Sequence, residues 1–265
     1  MARVIIRQSS YDYEILRRHC FDILDQFCGD LIRKDSFVII KPNFLSASSP
    51  EQAILTNPMI VKCAAEYVLS KGIRPQISDS PGTGSFERIL RESGVKDALE
   101  GLDVEFKEFK QSVKVDIGEP FGQIDMAEDA IKADVLINLP KLKTHSQMLL
   151  TLGVKNLFGC IAGYRKAEWH MRAGVDRHMF ARLLFQIYRT LNPAVTIVDG
   201  ILASGVIPGR EKPLIFGRSP STSIGPSKKP SSFETLFVRR ISGFIPNIVH
   251  IVISTATPLS LPIST

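Results

Sequence analysis

Lysines and asparagines recur in short bursts along this chain of 265 residues, and most bursts directly follow an apolar run. Lys41-Pro42-Asn43 follows Phe37-Val38-Ile39-Ile40. Lys141, Lys143 and His145 follow Val135-Leu136-Ile137, and Lys155-Asn156 and Lys166 come shortly after. Lysine offers a compact charge with three donors, and asparagine adds an orienting amide, so together they suit phosphate or carboxylate oxygens. Lys41, Asn43, Lys141, Lys143, Lys155, Asn156 and Lys166 are therefore the candidate ligand-binding residues. Solvated loop charges are the alternative for Lys141 and Lys143. Repetition of the same chemistry at separate segments weighs against it.

Catalysis needs a group that moves a proton. His145 titrates nearest neutral pH and is the candidate general acid–base, with His170 behind it. Asp79 and Asp199 each close an apolar run, where a carboxylate orients a histidine, holds a metal or caps the next helix. Two aspartates and two histidines could hold a divalent ion. No tight spacing of the His-Glu-x-x-His kind supports that, and no metal site is assigned. After Asp79 come Ser80, Gly82 and Gly84, then a helical segment from about Phe86. Small residues before a helix let backbone N–H groups approach an anion. The loop lacks the Lys-Ser/Thr ending of a P-loop, so a nucleoside triphosphate is not supported. A tight turn capped by Asp or Ser remains the other reading.

These groups need a frame that brings them together. Apolar runs at 3–7, 36–41, 75–79, 104–106, 135–139 and 195–199 alternate with helix-period segments, among them 11–28, the stretch after Asn57-Pro58, and 176–191. This is the pattern of a doubly wound, mostly parallel sheet in three layers. In such sheets ligands sit beyond the carboxyl ends of the strands. Lys41, Asp79, Lys141 and Asp199 are then expected on one edge, around one crevice. Residues 107–133 read as a polar connection.

Regularity fails after Pro208. Residues 219–265 hold fifteen Ser/Thr and six Pro and no Asp, and the segment from 206 onward carries +5 of the chain's net +6. Residues 1–217 are expected to form the α/β domain, and 218–265 a basic, Ser/Thr/Pro-rich, poorly ordered tail. A basic excess in a tail, rather than on a folded face, argues against a nucleic-acid partner. Apolar runs stop short of the roughly 18 residues that cross a bilayer, and the N-terminus lacks the apolar core of a signal peptide. Cys20, Cys28, Cys63 and Cys160 are scattered, without a C-x-x-C pair that would signal zinc or an iron–sulfur cluster. They read as free thiols in a reducing cytoplasm. No cofactor is assigned.

Six motifs in order carry a resemblance: Ile39-Ile40-Lys41-Pro42-Asn43, Thr56-Asn57-Pro58, Asp79-Ser80-Pro81-Gly82-Thr83-Gly84, Asn138-Leu139-Pro140-Lys141-Leu142-Lys143-Thr144-His145, Lys155-Asn156-Leu157-Phe158-Gly159 and Asp199-Gly200. From about Ser36 to Gly205 the chain resembles the domain-of-unknown-function 362 family. That family has no general assigned reaction. Many relatives carry a ferredoxin-like module, which this chain lacks. Relatives also continue beyond Asp-Gly with a glycine-rich loop, strand and helix. Here the likeness ends after Gly205-Val206-Ile207-Pro208-Gly209, so a truncated or aberrant C-terminus is expected.

Two functions follow as expectations. One is a cytoplasmic, enzyme-like protein with a crevice for a small phosphorylated or carboxylated metabolite. The other, suggested by the relatives, is a non-catalytic redox accessory or ligand-binding module with a ferredoxin-like, iron–sulfur partner.

Overall fold

The computed structural model describes residues 4–145, 149–163, 165–173, 176–205, 214–216 and 250–254. Strand β1 (Val4–Gln8) leads into helix α1 (Tyr13–Cys28), whose N-cap Asp12 accepts from the Ile15 N–H at 3.1 Å. Leu16, Cys20, Ile23, Leu24 and Cys28 are buried at helical spacing, so one stripe faces the sheet. Strand β2 (Val38–Pro42) is buried throughout, as a strand covered on both faces must be. Helix α2 (Pro58–Ser70) starts as expected, with Asn57 accepting from the Met59 N–H and Pro58 in the first turn. Gly72, at φ +77°, takes the left-handed position just beyond its end. Strand β3 (Gln76–Ile77), helices α3 (Phe86–Glu92) and α4 (Val95–Ala98), and strand β4 (Glu105–Phe106) complete the first half.

The polar connection at 107–133 is more ordered than its composition implied. Strands β5 (Ser112–Asp116) and β6 (Gln123–Ala127) form an antiparallel hairpin, followed by the short helix α5 (Glu128–Lys132). Ile124 and Met126 are buried and Asp125 between them is not, so the hairpin buries one face only. Such sparse alternation is easily lost among charges. Strand β7 (Val135–Leu139) is buried throughout. The lysine-rich stretch after it, for which solvated loop was the alternative reading, is strand β8 (Lys141–His145) paired antiparallel with β9 (Leu149–Thr151). Next come helix α6 (Gly153–Asn156), a 3-10 turn at Leu157–Cys160, helix α7 (Arg165–Ala173) and helix α8 (Arg177–Leu191). Strand β10 (Val195–Gly205) continues well past Asp199, and β11 (Leu214–Phe216) pairs with its end.

Strand β12 (His250–Ser254) corrects the expected tail: it lies in the sheet, parallel to β1 on one side and β10 on the other. A parallel strand between two others needs only an apolar run, and its partners here lie far away in sequence, where local composition cannot reveal them. The other expectations for the tail fall on 217–249 and 255–265, outside the described residues.

The main sheet runs β1-β12-β10-β7-β2-β3-β4, and every neighbouring pair on that path is parallel. Its two faces support separate cores. Val38, Ile40, Val135 and Ile137 pack with α1 and α2, whereas Ile39 and Leu136 pack with α8 and the β5–β6 hairpin. The three-layer α/β reading is thus realised. From β2 the chain moves outward one way to β3 and β4, and later the other way from β7 to β10. The gap between β2 and β7 is the topological switch point, where open α/β sheets place their ligands.

Candidate functional site

The two strands at the switch point end in register, Lys41 beside Asn138 and Pro42 beside Leu139. Thr56 ties the next residues down: its hydroxyl donates to the Leu139 carbonyl at 2.6 Å and accepts from the Asn43 N–H at 2.8 Å. Lys41 and Asp79, following adjacent strands, form a fully buried ion pair of 2.8 Å. Asp79 also accepts from the backbone N–H of Ser80 and Phe44, each at 2.8 Å. Lys141 and Asp199, cross-strand partners on β8 and β10, make a second buried pair of 2.8 Å. Asp199 further accepts from the Tyr11 hydroxyl at 2.7 Å and the Asn57 N–H at 2.9 Å. Lys141 also donates to the Tyr11 oxygen at 2.9 Å. Burial, then the charge of Asp199, pushes the Tyr11 hydroxyl far above the usual phenol range.

Both carboxylates are thus saturated by a lysine and by fixed N–H or O–H donors, as buried charges must be. The strand-end residues Lys41, Asp79, Lys141 and Asp199 come together at one edge, joined in pairs.

The remaining lysines differ. Lys143, only 9% exposed, donates to Asn43 Oδ1 at 2.7 Å and to the Ile54 carbonyl at 2.8 Å, both neutral acceptors. Lys166, from α7, reaches back over the loop after β3 and donates to the carbonyls of Ser80 and Pro81, the latter at 3.3 Å. The ammonium of Lys155 stands 4.5 Å above the Phe158 ring and 5.3 Å from that of Phe180. Burial is the leading cause that lowers all three, Lys143 to about 7 and Lys155 and Lys166 to about 8. Neighbouring ammonium groups lower them further. Lys155 and Lys41 act on both Lys143 and, in Lys41's case, on Lys166, while Asp79 opposes the shift in these two. Among the described residues, three lysines with neutral partners therefore stand near one another in the crevice, beside two neutralised pairs.

Asparagines fix the geometry. Asn43 Nδ2 donates to Asn156 Oδ1 at 3.0 Å, and Asn156 Nδ2 donates to Asn138 Oδ1 at 2.8 Å. Asn138 Nδ2 then donates to the Gly153 carbonyl at 3.0 Å. Each amide is oriented by the next, so the acceptor that Lys143 meets is held rigidly. Gly159 leaves the space that the first ion pair fills: an added Cβ would lie 2.7 Å from Lys41 Nζ and closer still to Asp79 Oδ1.

The loop after Asp79 is more occupied than a phosphate cradle would be. The N–H groups of Gly82 and Thr83 both donate to the Leu45 carbonyl, at 2.9 and 3.1 Å, and Ser80 donates to Asp79. Ser85 caps α3, accepting from the Arg88 N–H at 3.3 Å, and Gly84 adopts φ +82°. His145 closes β8, but its side chain lies outside the described ones. His170 packs between Phe158 and Phe180, with centroids 5.0 and 4.9 Å away, beside Lys155. Among the described residues, no three His, Cys, Asp or Glu side chains gather as a metal-holding group.

The candidate binding and catalytic residues read from the sequence did not include Tyr11, Asn57 or Asn138, although the last two stand in its motifs. Asn138 was detectable, because a polar residue inside Val135–Leu139 must find buried partners. Tyr11 was not, since its partners Lys141 and Asp199 are remote in sequence.

Comparison with known proteins places the chain. Thylakoid-associated protein sll1697 of Synechocystis sp. is 35% identical over 201 residues, which cover 75% of this chain and 63% of that protein. The chain thus spans less than two thirds of that curated relative. Among solved structures, the lactate racemase apoprotein of Thermoanaerobacterium thermosaccharolyticum aligns with a TM-score of 0.49 at 14% identity, over 78% of this chain and 51% of that one. No helix among the described residues is long and apolar enough to cross a membrane. The model of the family described as Domain of unknown function (DUF362) matches residues 38–221, a span that includes both ion pairs, the amide relay and all three remaining lysines. With the motifs from Lys41 to Asp199 each occupying the crevice, the chain belongs to that family.

Proposed function

We propose that the crevice at the β2–β7 switch point binds a small anionic metabolite, phosphorylated or carboxylated, through Lys155, Lys166 and Lys143. The observation that carries this reading is the charge imbalance. Lys41 and Lys141 are neutralised by Asp79 and Asp199, whereas among the described residues the other three lysines meet carbonyls, an amide oxygen and aromatic rings. Gathering like charges in a desolvated site is unfavourable unless a ligand of opposite sign relieves it. In this reading Lys41, Lys141, Asp79 and Asp199 hold the scaffold, and Asn43 and Asn156 orient it. Ser80, Gly82 and Gly84 shape the loop under Lys166.

Calorimetric titration with inorganic phosphate and with succinate tests this. Lys155→Met and Lys166→Met should each weaken the preferred anion by about tenfold, the scale of one charge-assisted contact, and added salt should weaken it further. Equal affinity in wild type and both variants would refute the reading.

The redox-accessory alternative has no described residue that favours it over anion binding. Compartment belongs with these proposals as well. The cytoplasmic expectation stands beside the name of the Synechocystis relative, which associates that protein with thylakoids. Fractionation of cells that express the tagged chain decides between soluble and membrane-bound pools.

A further inference from the structure

Lys143 has a hydrogen-bond arrangement suited to an uncharged amine. A neutral amine carries two N–H bonds and one lone pair. Two fixed acceptors, Asn43 Oδ1 at 2.7 Å and the Ile54 carbonyl at 2.8 Å, match the two N–H bonds and leave the lone pair to point elsewhere. Directly opposite on β9 is Thr151, the antiparallel partner of Lys143. Direct cross-strand partners share a face, so its side chain lies beside that of Lys143. Thr151 is 4% exposed, and among the described residues its hydroxyl oxygen has no hydrogen-bond partner. A buried hydroxyl left unbonded costs stability, unless a ligand completes it.

We propose that Lys143 is a nucleophile that condenses with the carbonyl carbon of a small aldehyde- or keto-bearing anion, with Thr151 holding the carbonyl oxygen. The idea rests on the anion-binding reading, since Lys155 and Lys166 would hold the carboxylate or phosphate of the same molecule. The step balances within the site. The Nζ lone pair forms a C–N bond while the carbonyl π pair moves to oxygen, toward the Thr151 hydroxyl. Proton transfer from nitrogen to oxygen gives a carbinolamine. The remaining N–H proton then passes to that oxygen, water leaves, and the electron pair left on nitrogen closes the C=N bond of a neutral imine. No oxidant or reductant is consumed. The groups that set the amine's charge support this: burial, Lys155, Lys141 and Lys41 lower Lys143 to about 7, against Asp79, so much of it is uncharged near neutral pH.

Glyoxylate is the smallest probe with both an aldehyde and a carboxylate. The full chain is incubated with glyoxylate and cyanoborohydride, which reduces an imine to a stable carboxymethyl-lysine, and the label is mapped by peptide mass spectrometry. Lys143 should label about tenfold or more faster than exposed lysines such as Lys34 and Lys114. Its rate should rise through a midpoint near 7, should fall when phosphate competes, and should drop in Thr151→Val. Label spread over exposed lysines without preference for Lys143, or a Lys143 rate indifferent to pH in this range, would overturn the proposal. Phosphate titration of the same wild-type preparation separates the two ideas. Binding without selective labelling sinks the imine alone, and no binding sinks both.

Discussion

At the scale of single residues, the buried ion pairs and the space around them make the strongest claims. Removing one partner of such a pair leaves the other charged and unmatched. Asp199→Asn strands Lys141 and should destabilise the fold by about 3 kcal/mol, read as a lower urea midpoint. Tyr11→Phe keeps the pair but removes a hydroxyl that both donates to Asp199 and accepts from Lys141. It should cost less, about 1–2 kcal/mol. Gly159→Ala adds only one methyl group, yet that group would lie 2.7 Å from Lys41 Nζ. It should cost about 2 kcal/mol by overpacking. A Gly159→Ala protein as stable as wild type would mean that the 3-10 turn yields, and that the close fit around Lys41 and Asp79 is not needed.

Elements decide which lysines are left without a counter-charge. Lys141 and Lys143 are two residues apart on β8, but the strand register sets Lys141 against Asp199 and Lys143 against Thr151. Unfolded, Lys143, Lys155 and Lys166 titrate near the ordinary lysine value; folded, they titrate at about 7, 8 and 8. Between those values the unfolded chain binds more protons than the folded one, so stability rises with pH there. Below about 7 all three are charged in both states, and the burial cost is present in full. The urea midpoint should therefore be higher at about pH 9 than at about pH 6, and Lys143→Met should shrink that difference. Saturating phosphate at the lower pH should raise the midpoint toward the higher-pH value. The lysines and asparagines themselves were legible in the sequence, because they stand at the ends of buried apolar runs. Their division into paired and unpaired was not, since it depends on a hairpin register and on Tyr11 returning from the other end of the chain. The β5–β6 hairpin was hidden for a related reason: its one buried face depends on α8, which follows later in the chain.

For the whole molecule, the parallel sheet and its two helical layers could be anticipated from alternating strand and helix periods, up to Asp199. The strand at His250–Ser254 could not, since its partners β1 and β10 lie far from it in sequence. It stands between β10 and β1, so a chain ending at Gly217 leaves β1 without the partner it has here. We expect that deletion to lower the melting temperature markedly and to release the Val4–Gln8 amides to rapid hydrogen exchange. An unchanged melting temperature, with those amides still protected, would show that β12 adds little to the sheet.

That arrangement also bears on how the protein is made. Strand β1 pairs with β12, the last described strand to leave the ribosome, so β1 must wait until synthesis has passed Ser254. Tyr11, just after β1, reaches Asp199 and Lys141 sooner and so ties the waiting end to the growing core. During that interval the open flank of β10 is an apolar edge, available to another nascent chain as readily as to β12. Slow translation between Gly205 and His250 should therefore favour aggregation over folding, and a holdase chaperone that shields β10 should matter most before β12 emerges.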